Sequence, residues 1–164
     1  MTDFIDGLER DMTDFIDGLE ALGLIQFKPE AKPVAARLQQ LKDASGARAR
    51  VFEGQGGADL MDTHPIGIVG TMPGAEIPWA LVALWNALES GDMKRAAEIH
   101  APIAKMVSYQ TTLDSYVAVE KYLLVKQGIF TNQRQRGPVS FILDNSVSDV
   151  IDSAYSQLEA IVNR

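Results

Sequence analysis

The stretch LIQFKPEAKPVAARLQQLKDASGARARVFEGQGGADLMDTHPIGIVGTMPG, Leu24–Gly74, decides the fold. Three short apolar runs punctuate it: LIQF (Leu24–Phe27), ARVF (Ala49–Phe52) and IGIV (Ile66–Val69). Between the first two, Lys32–Ala44 carries Val34, Leu38 and Leu41 at helical spacing, with Gly46 as a stop signal. Between the second and third lie the glycine-rich EGQGG (Glu53–Gly57) and a short helix predicted over Ala58–Thr63, leading through His64-Pro65. Strand, helix, strand, helix, strand with short connections predicts βαβ units and a parallel sheet. Right-handed crossovers would place the helices outside that sheet.

Beyond Gly74 the period changes. Ile77–Glu89 places Ile77, Leu81, Leu84, Trp85 and Leu88 on one helical stripe. Ser90-Gly91-Asp92 ends that helix and caps the next, predicted over Met93–Val107. Another follows from Leu113 to Gln127, stopped by Gly128, then a turn or extended piece at GPVSF (Gly137–Phe141). A last helix over Ser146–Val162 turns Val147, Val150, Ile151, Ala154, Leu158 and Ile161 inward. In the other direction, MTDFIDGLE at Met1–Glu9 recurs at Met12–Glu20. The offset is close to three helical turns, so Phe4, Ile5 and Leu8 would share a face with Phe15, Ile16 and Leu19. Gly7 and Gly18 each weaken such a helix by roughly 1 kcal/mol. This segment is either an amphipathic docking helix or a duplicated start with no role of its own. The organisation expected is a duplicated helical segment (1–23), an α/β part (24–76) and an all-helical region (77–164).

Composition narrows the function classes. The chain has 164 residues, 46% hydrophobic and 23% charged, with no cysteine and a net charge of -7. A chain of this length buries roughly 70% of its unfolded surface, enough for one globular domain with a real core. A disulfide framework and a cysteine-based zinc site are excluded. The acidic balance argues against nucleic acid as a partner. Asp3, Asp6, Glu9 and Asp11 are the opposite of a basic signal-peptide start. The longest apolar run, Ile77–Trp85, is broken by Pro78 and falls far short of the roughly 20 residues of a membrane span. A cytoplasmic protein without a membrane partner is expected. A complete (β/α)8 barrel typically needs about 250 residues, more than are present.

Lys28 is the foremost chemical candidate. Alternation along a strand turns Gln26 and Lys28 one way, Ile25 and Phe27 the other. Pro29 holds Lys28 extended, at the carboxyl end of its strand, where parallel α/β folds keep their reacting groups. Enclosure there would favour the neutral amine, which can attack a carbonyl carbon and form a Schiff base. On spacing alone, a snorkelling surface lysine is the commoner explanation of such a residue. Gly54-Gln55-Gly56-Gly57 follows a strand and precedes a helix, so its backbone N–H groups could meet a phosphate or carboxylate. It matches neither a Walker motif nor GxGxxG, and a tight strand–helix turn accounts for it. Gly70–Gly74 is a second such turn. His64 and His100 lack partners at metal-ligand spacing, so no metal is expected. Asp59 and Asp62 read as a solvated helix face, and Trp79 and Trp85 as packing on two sides of one helix.

From Leu24 onward, the order of motifs resembles the C-terminal half of the dihydrodipicolinate synthase/N-acetylneuraminate lyase family. The carriers are IQFKPEA (Ile25–Ala31), VFEGQGG (Val51–Gly57), GIVGTMPG (Gly67–Gly74), ALESGD (Ala87–Asp92) and the late Arg136-Gly137-Pro138. Members are Schiff-base aldolases and dehydratases on a TIM barrel. The resemblance implies a partial TIM barrel, its last three parallel β/α units, followed by an all-helical C-terminal region. It implies that Lys28 forms the imine with a 2-oxo acid, that Gly54 lines the mouth, and that the Val69 carbonyl faces the imine. GTMPG is most similar to members acting on 2-keto-3-deoxy sugar acids, which favours a dehydratase or aldolase over dihydrodipicolinate synthase. No cofactor is implied. The family's first five strands, its threonine pair and its proton-relaying tyrosine have no counterpart here. Weak or absent turnover by this chain alone is therefore expected, with a homo-oligomer or an N-terminal half as partner. Two other readings stand beside this one: a non-catalytic half-barrel associating through its sheet edges, and an anion-binding module built on Gly54–Gly57.

Overall fold

The computed structural model describes residues 14, 17, 18, 21, 26–29, 32–45 and 50–163. Of the duplicated segment only Asp14, Asp17, Gly18 and Ala21 are among them, all helical; the rest of that expectation lies outside the described residues, as does Ile25. Contacts divide the chain into two compact units, 1–55 with 62–72 and 56–61 with 73–164.

The first unit holds a parallel sheet of β1 (Gln26–Phe27), β2 (Arg50–Glu53) and β3 (Gly70–Thr71), in that spatial order. Gln26 stands opposite Arg50 and Phe27 opposite Val51; Phe52 stands opposite Gly70 and Glu53 opposite Thr71. Helix α1 (Val34–Ser45) packs on β2, burying Val34 and Leu38 from its predicted stripe together with Val51. The chain then reaches β3 by a short helix, α2 (Leu60–Thr63), and a 3-10 turn at His64–Ile66.

That turn corrects the third strand expected over Ile66–Val69. Pro65 fits the first helical position, because its missing N–H is one the turn would leave unbonded anyway. Gly67, in the left-handed region at φ 84°, closes the turn by donating its N–H to the His64 carbonyl at 2.9 Å. Extended chain therefore starts at Ile68. Pairing proceeds through the Val69 N–H, which donates to the Val51 carbonyl at 2.8 Å, to the ladder at Gly70–Thr71. The Lys42 ammonium donates to the Ile66 carbonyl and ties this turn to α1.

The second unit is helical, with α3 (Pro78–Glu89), α4 (Met93–Val107), α5 (Leu113–Lys126) and α6 (Asn145–Val162) close to their expected bounds. Capping residues account for the starts of the last three. The Asp92 carboxylate accepts the Arg95 N–H at 3.0 Å, Thr112 and Ser115 form a reciprocal capping box, and Asp144 accepts the Val147 N–H. Helices α4 and α6 pack along each other through Ile99, Ile103 and Met106 on one side and Ile151, Ala154 and Leu158 on the other. Helix α3 joins them with Ala80, Leu81, Leu84 and Leu88, and Trp79 meets Tyr155 edge-on at 6.1 Å between ring centres. Val147 and Val150, expected inward, are only half-buried. Among the described residues, no helix is long and apolar enough to cross a membrane.

Leu158 is completely buried in this helical core. Leu158→Ala should destabilise the protein by about 2–5 kcal/mol, read as a lowered midpoint in urea at unchanged slope.

Candidate functional site

Lys28 stands one residue past β1 and is followed by Pro29. Because Phe27 lies opposite Val51, Lys28 comes beside Phe52, which itself lies opposite Gly70. Strand alternation thus lays Lys28, Phe52 and Gly70 in one row across one face of the sheet. Phe27, Val51, Glu53 and Thr71 belong to the other face, where α1 packs and Val51 is buried. Lys28 itself is exposed.

The other two candidates lie in the same unit. Gly54 directly follows β2 and is half-buried; Val69 directly precedes β3, with 41% of its surface exposed. The sheet brings Lys28 and Gly54 to the carboxyl ends of adjacent strands, with Val69 hydrogen-bonded to the middle one. In the Gly54–Gly57 turn, Gly56 and Gly57 take positive φ. A Cβ at Gly57 would run into Leu81 Cδ2, so packing requires this glycine whether or not a ligand approaches it.

Two buried polar residues carry a role that the sequence reading missed. Glu53 is completely buried at the end of β2. Its Oε1 accepts the Gln55 N–H at 2.6 Å and its Oε2 accepts the Thr71 hydroxyl of β3. Its carbonyl accepts the Met72 N–H at 2.9 Å. A carboxylate removed from water needs such donors. Glu53 therefore joins the segments leaving β2 and β3, on the face away from Lys28. Counting by twos from Val51 would have found its face, but the Thr71 partner follows only from the register.

The second missed residue is Glu76, in the helical unit. It is 3% exposed; Gln110 Nε2 donates to its Oε1 at 3.2 Å and Gln127 Nε2 donates to its carbonyl at 2.8 Å. Among the described residues its Oε2 has no hydrogen-bond partner; it faces Gly74, where a Cβ would collide with that oxygen and with the Tyr116 hydroxyl. Burial pushes the Glu76 carboxyl above its ordinary value; hydrogen bonds oppose the shift and the Glu120 charge adds to it. His100, read as structural, donates from Nε2 to the Ala58 carbonyl at 2.6 Å. Among the described residues, no cluster of three or more histidine, aspartate or glutamate side chains could hold a metal ion. A groove of about 350 Å³ between α4 and α6, lined by Pro102, Lys105, Val150 and Ala154 among others, includes none of the candidate residues.

Solved structures share this fold. Dihydrodipicolinate synthase from Rhodopseudomonas palustris superposes with a TM-score of 0.69 at 23% identity, over 81% of this chain and 45% of its own. Wild-type sialic acid aldolase from Ruminococcus gnavus gives a TM-score of 0.69 at 21% identity, over 91% of this chain and 50% of its own. A catalytic lysine mutant of that aldolase gives 0.64 at 19% identity, over 82% and 44%. The chain spans about half the length of these structures. At such identities the likeness is one of fold, and the two proteins named are of the kind whose C-terminal half the motif order resembles. No family model matches the chain, and no curated protein does.

Both buried glutamates give measurable consequences. Thr71→Val keeps the shape at β3 but strips Glu53 Oε2 of its hydroxyl donor, and should cost about 1–3 kcal/mol in chemical denaturation. For Glu76 the folded state favours the protonated acid, so its contribution to stability is fully present below about pH 4.5 and is lost as the pH rises through the raised value. Glu76→Gln should therefore be more stable than wild type at neutral pH, with the gap closing as the pH falls towards 4.5. A gap independent of pH would contradict the burial argument.

Proposed function

We propose that this chain is the imine-forming part of a class I lyase acting on 2-oxo acids, with Lys28 as the nucleophile. The observation that carries the reading is the position of Lys28: just past β1, before Pro29, on the face of the sheet not covered by α1. The sialic acid aldolase that shares this fold has a catalytic lysine. On this reading β1, β2 and β3 are the last three β/α units of a barrel, and α3 to α6 are the helical region that follows.

The chemistry begins when the Lys28 amine adds to the C2 carbonyl carbon of the 2-oxo acid, giving a carbinolamine. Loss of water yields the imine, and its protonated form draws electrons from the adjacent carbon. Removing a proton from C3 then permits loss of a hydroxyl group as water, or the C–C bond can break in an aldol cleavage. Gly54 would line the mouth and the Val69 carbonyl would face the imine nitrogen. A 2-keto-3-deoxy sugar acid is the favoured substrate, and no cofactor enters the scheme. Turnover also needs groups that hold the carboxylate and move protons, and such groups act together with the imine. A second copy, or a chain supplying the preceding strands, would be the partner, and we propose the cytoplasm as the setting.

Incubation with pyruvate and a borohydride reductant should leave a reduced adduct on Lys28, located by peptide mass spectrometry, and Lys28→Ala should abolish it. The competing reading, a non-catalytic half-barrel that associates through its sheet edges, requires the opposite: no adduct at Lys28 in any assembly state.

A further inference from the structure

We propose that Phe52 sets the room available to a 2-oxo acid beside Lys28, and that Gly70 keeps the Phe52 ring turned away from the lysine. This rests on the Lys28 imine proposed above. Side by side in a sheet, strands are about 4.8 Å apart, so residues in one row on one face compete for the same space. Phe52 has two neighbours in its row: Lys28 of the chain leaving β1 and Gly70 of β3. The ring lies over Gly70, where a Cβ would stand 3.1 Å from both Cδ1 and Cε1. It thus occupies the space that glycine leaves on the β3 side, away from β1, where Lys28 stands. Phe52 is half-buried, so the ring is not locked there by surrounding core.

Two consequences follow from the chemistry of the ring. A side chain at position 70 would claim the ring's space and push it towards β1, crowding the approach to the Lys28 amine. In its present position the ring offers an apolar, uncharged wall to whatever extends from the carbonyl carbon held at Lys28, and the length of that extension becomes the quantity selected. Phe52 is in this sense a specificity-determining residue, and Gly70 a positioning residue acting through it.

The test uses the full chain with Gly70→Val, Phe52→Ala and the double variant. Two quantities are read by mass spectrometry. One is the borohydride-trapped adduct at Lys28 with pyruvate and with a six-carbon 2-oxo acid. The other is the rate of acetylation of Lys28 by acetic anhydride, relative to the exposed Lys94 as internal reference. Gly70→Val should slow Lys28 acetylation several-fold relative to Lys94 and depress the six-carbon adduct more than the pyruvate adduct. The double variant should restore both. Phe52→Ala alone should raise the six-carbon adduct relative to pyruvate, and this arm stands even if Gly70→Val does not fold. An acetylation ratio unchanged in folded Gly70→Val, or an adduct ratio unchanged in Phe52→Ala, would overturn the proposal. If wild type takes no pyruvate adduct, the imine reading fails. In that case an acetylation ratio that falls in Gly70→Val and recovers in the double variant still supports the steric relation of Phe52 to Lys28.

Discussion

The register between three short parallel strands is the constraint on which the first unit depends. With Phe27 opposite Val51, and Phe52 opposite Gly70, every residue near the strand ends has its face assigned. A slip of one residue in β1 would carry Lys28 to the side where α1 packs and bring Phe27 beside Phe52. The ladders are only two residue pairs each, so the backbone alone holds that register weakly. Side chains reinforce it. Val51 and Leu38 are buried where α1 meets β2, and Glu53 joins β2 to β3 through the Thr71 hydroxyl.

The two buried glutamates solve one electrostatic problem in different ways. Glu53 has a donor on each oxygen, one from the backbone after its own strand and one from the neighbouring strand. These donors supply part of what hydration would have given the side chain. Glu76 has a donor on one oxygen only, and the other rests against the bare Cα of Gly74. The protonated acid is the cheaper form there, which is why burial dominates its titration. The first arrangement fastens strands; the second leaves one carboxylate oxygen without a donor among the described residues.

Much of this was legible in the sequence because it rests on local chemistry. Val34 and Leu38 mark the buried side of α1, and Asp92, Thr112 and Asp144 mark the starts of α4, α5 and α6 through side-chain bonds to backbone one turn away. The parallel order of the strands followed from their alternation with helices. The third strand was displaced because Pro65 and Gly67 impose a turn that an apolar run does not reveal. Glu53 with Thr71, and Glu76 with Gln110 and Gln127, were invisible for another reason. Each joins residues far apart in the chain, and only the sheet register or the packing of helices makes them neighbours. Lys28 shows the same divide: its face could be read by counting, its exposure could not.

The Glu53–Thr71 bond also constrains how this sheet can diverge. A buried carboxylate that accepts a hydroxyl one strand away loses a donor when that hydroxyl goes, and the hydroxyl has little use once the carboxylate is gone. Positions 53 and 71 should accordingly drift as a couple in descendants of this sequence, exchanged together for an apolar pair or kept together. The neighbouring row of Lys28, Phe52 and Gly70 is free to vary under a different pressure, since the pleat sends it to the opposite face.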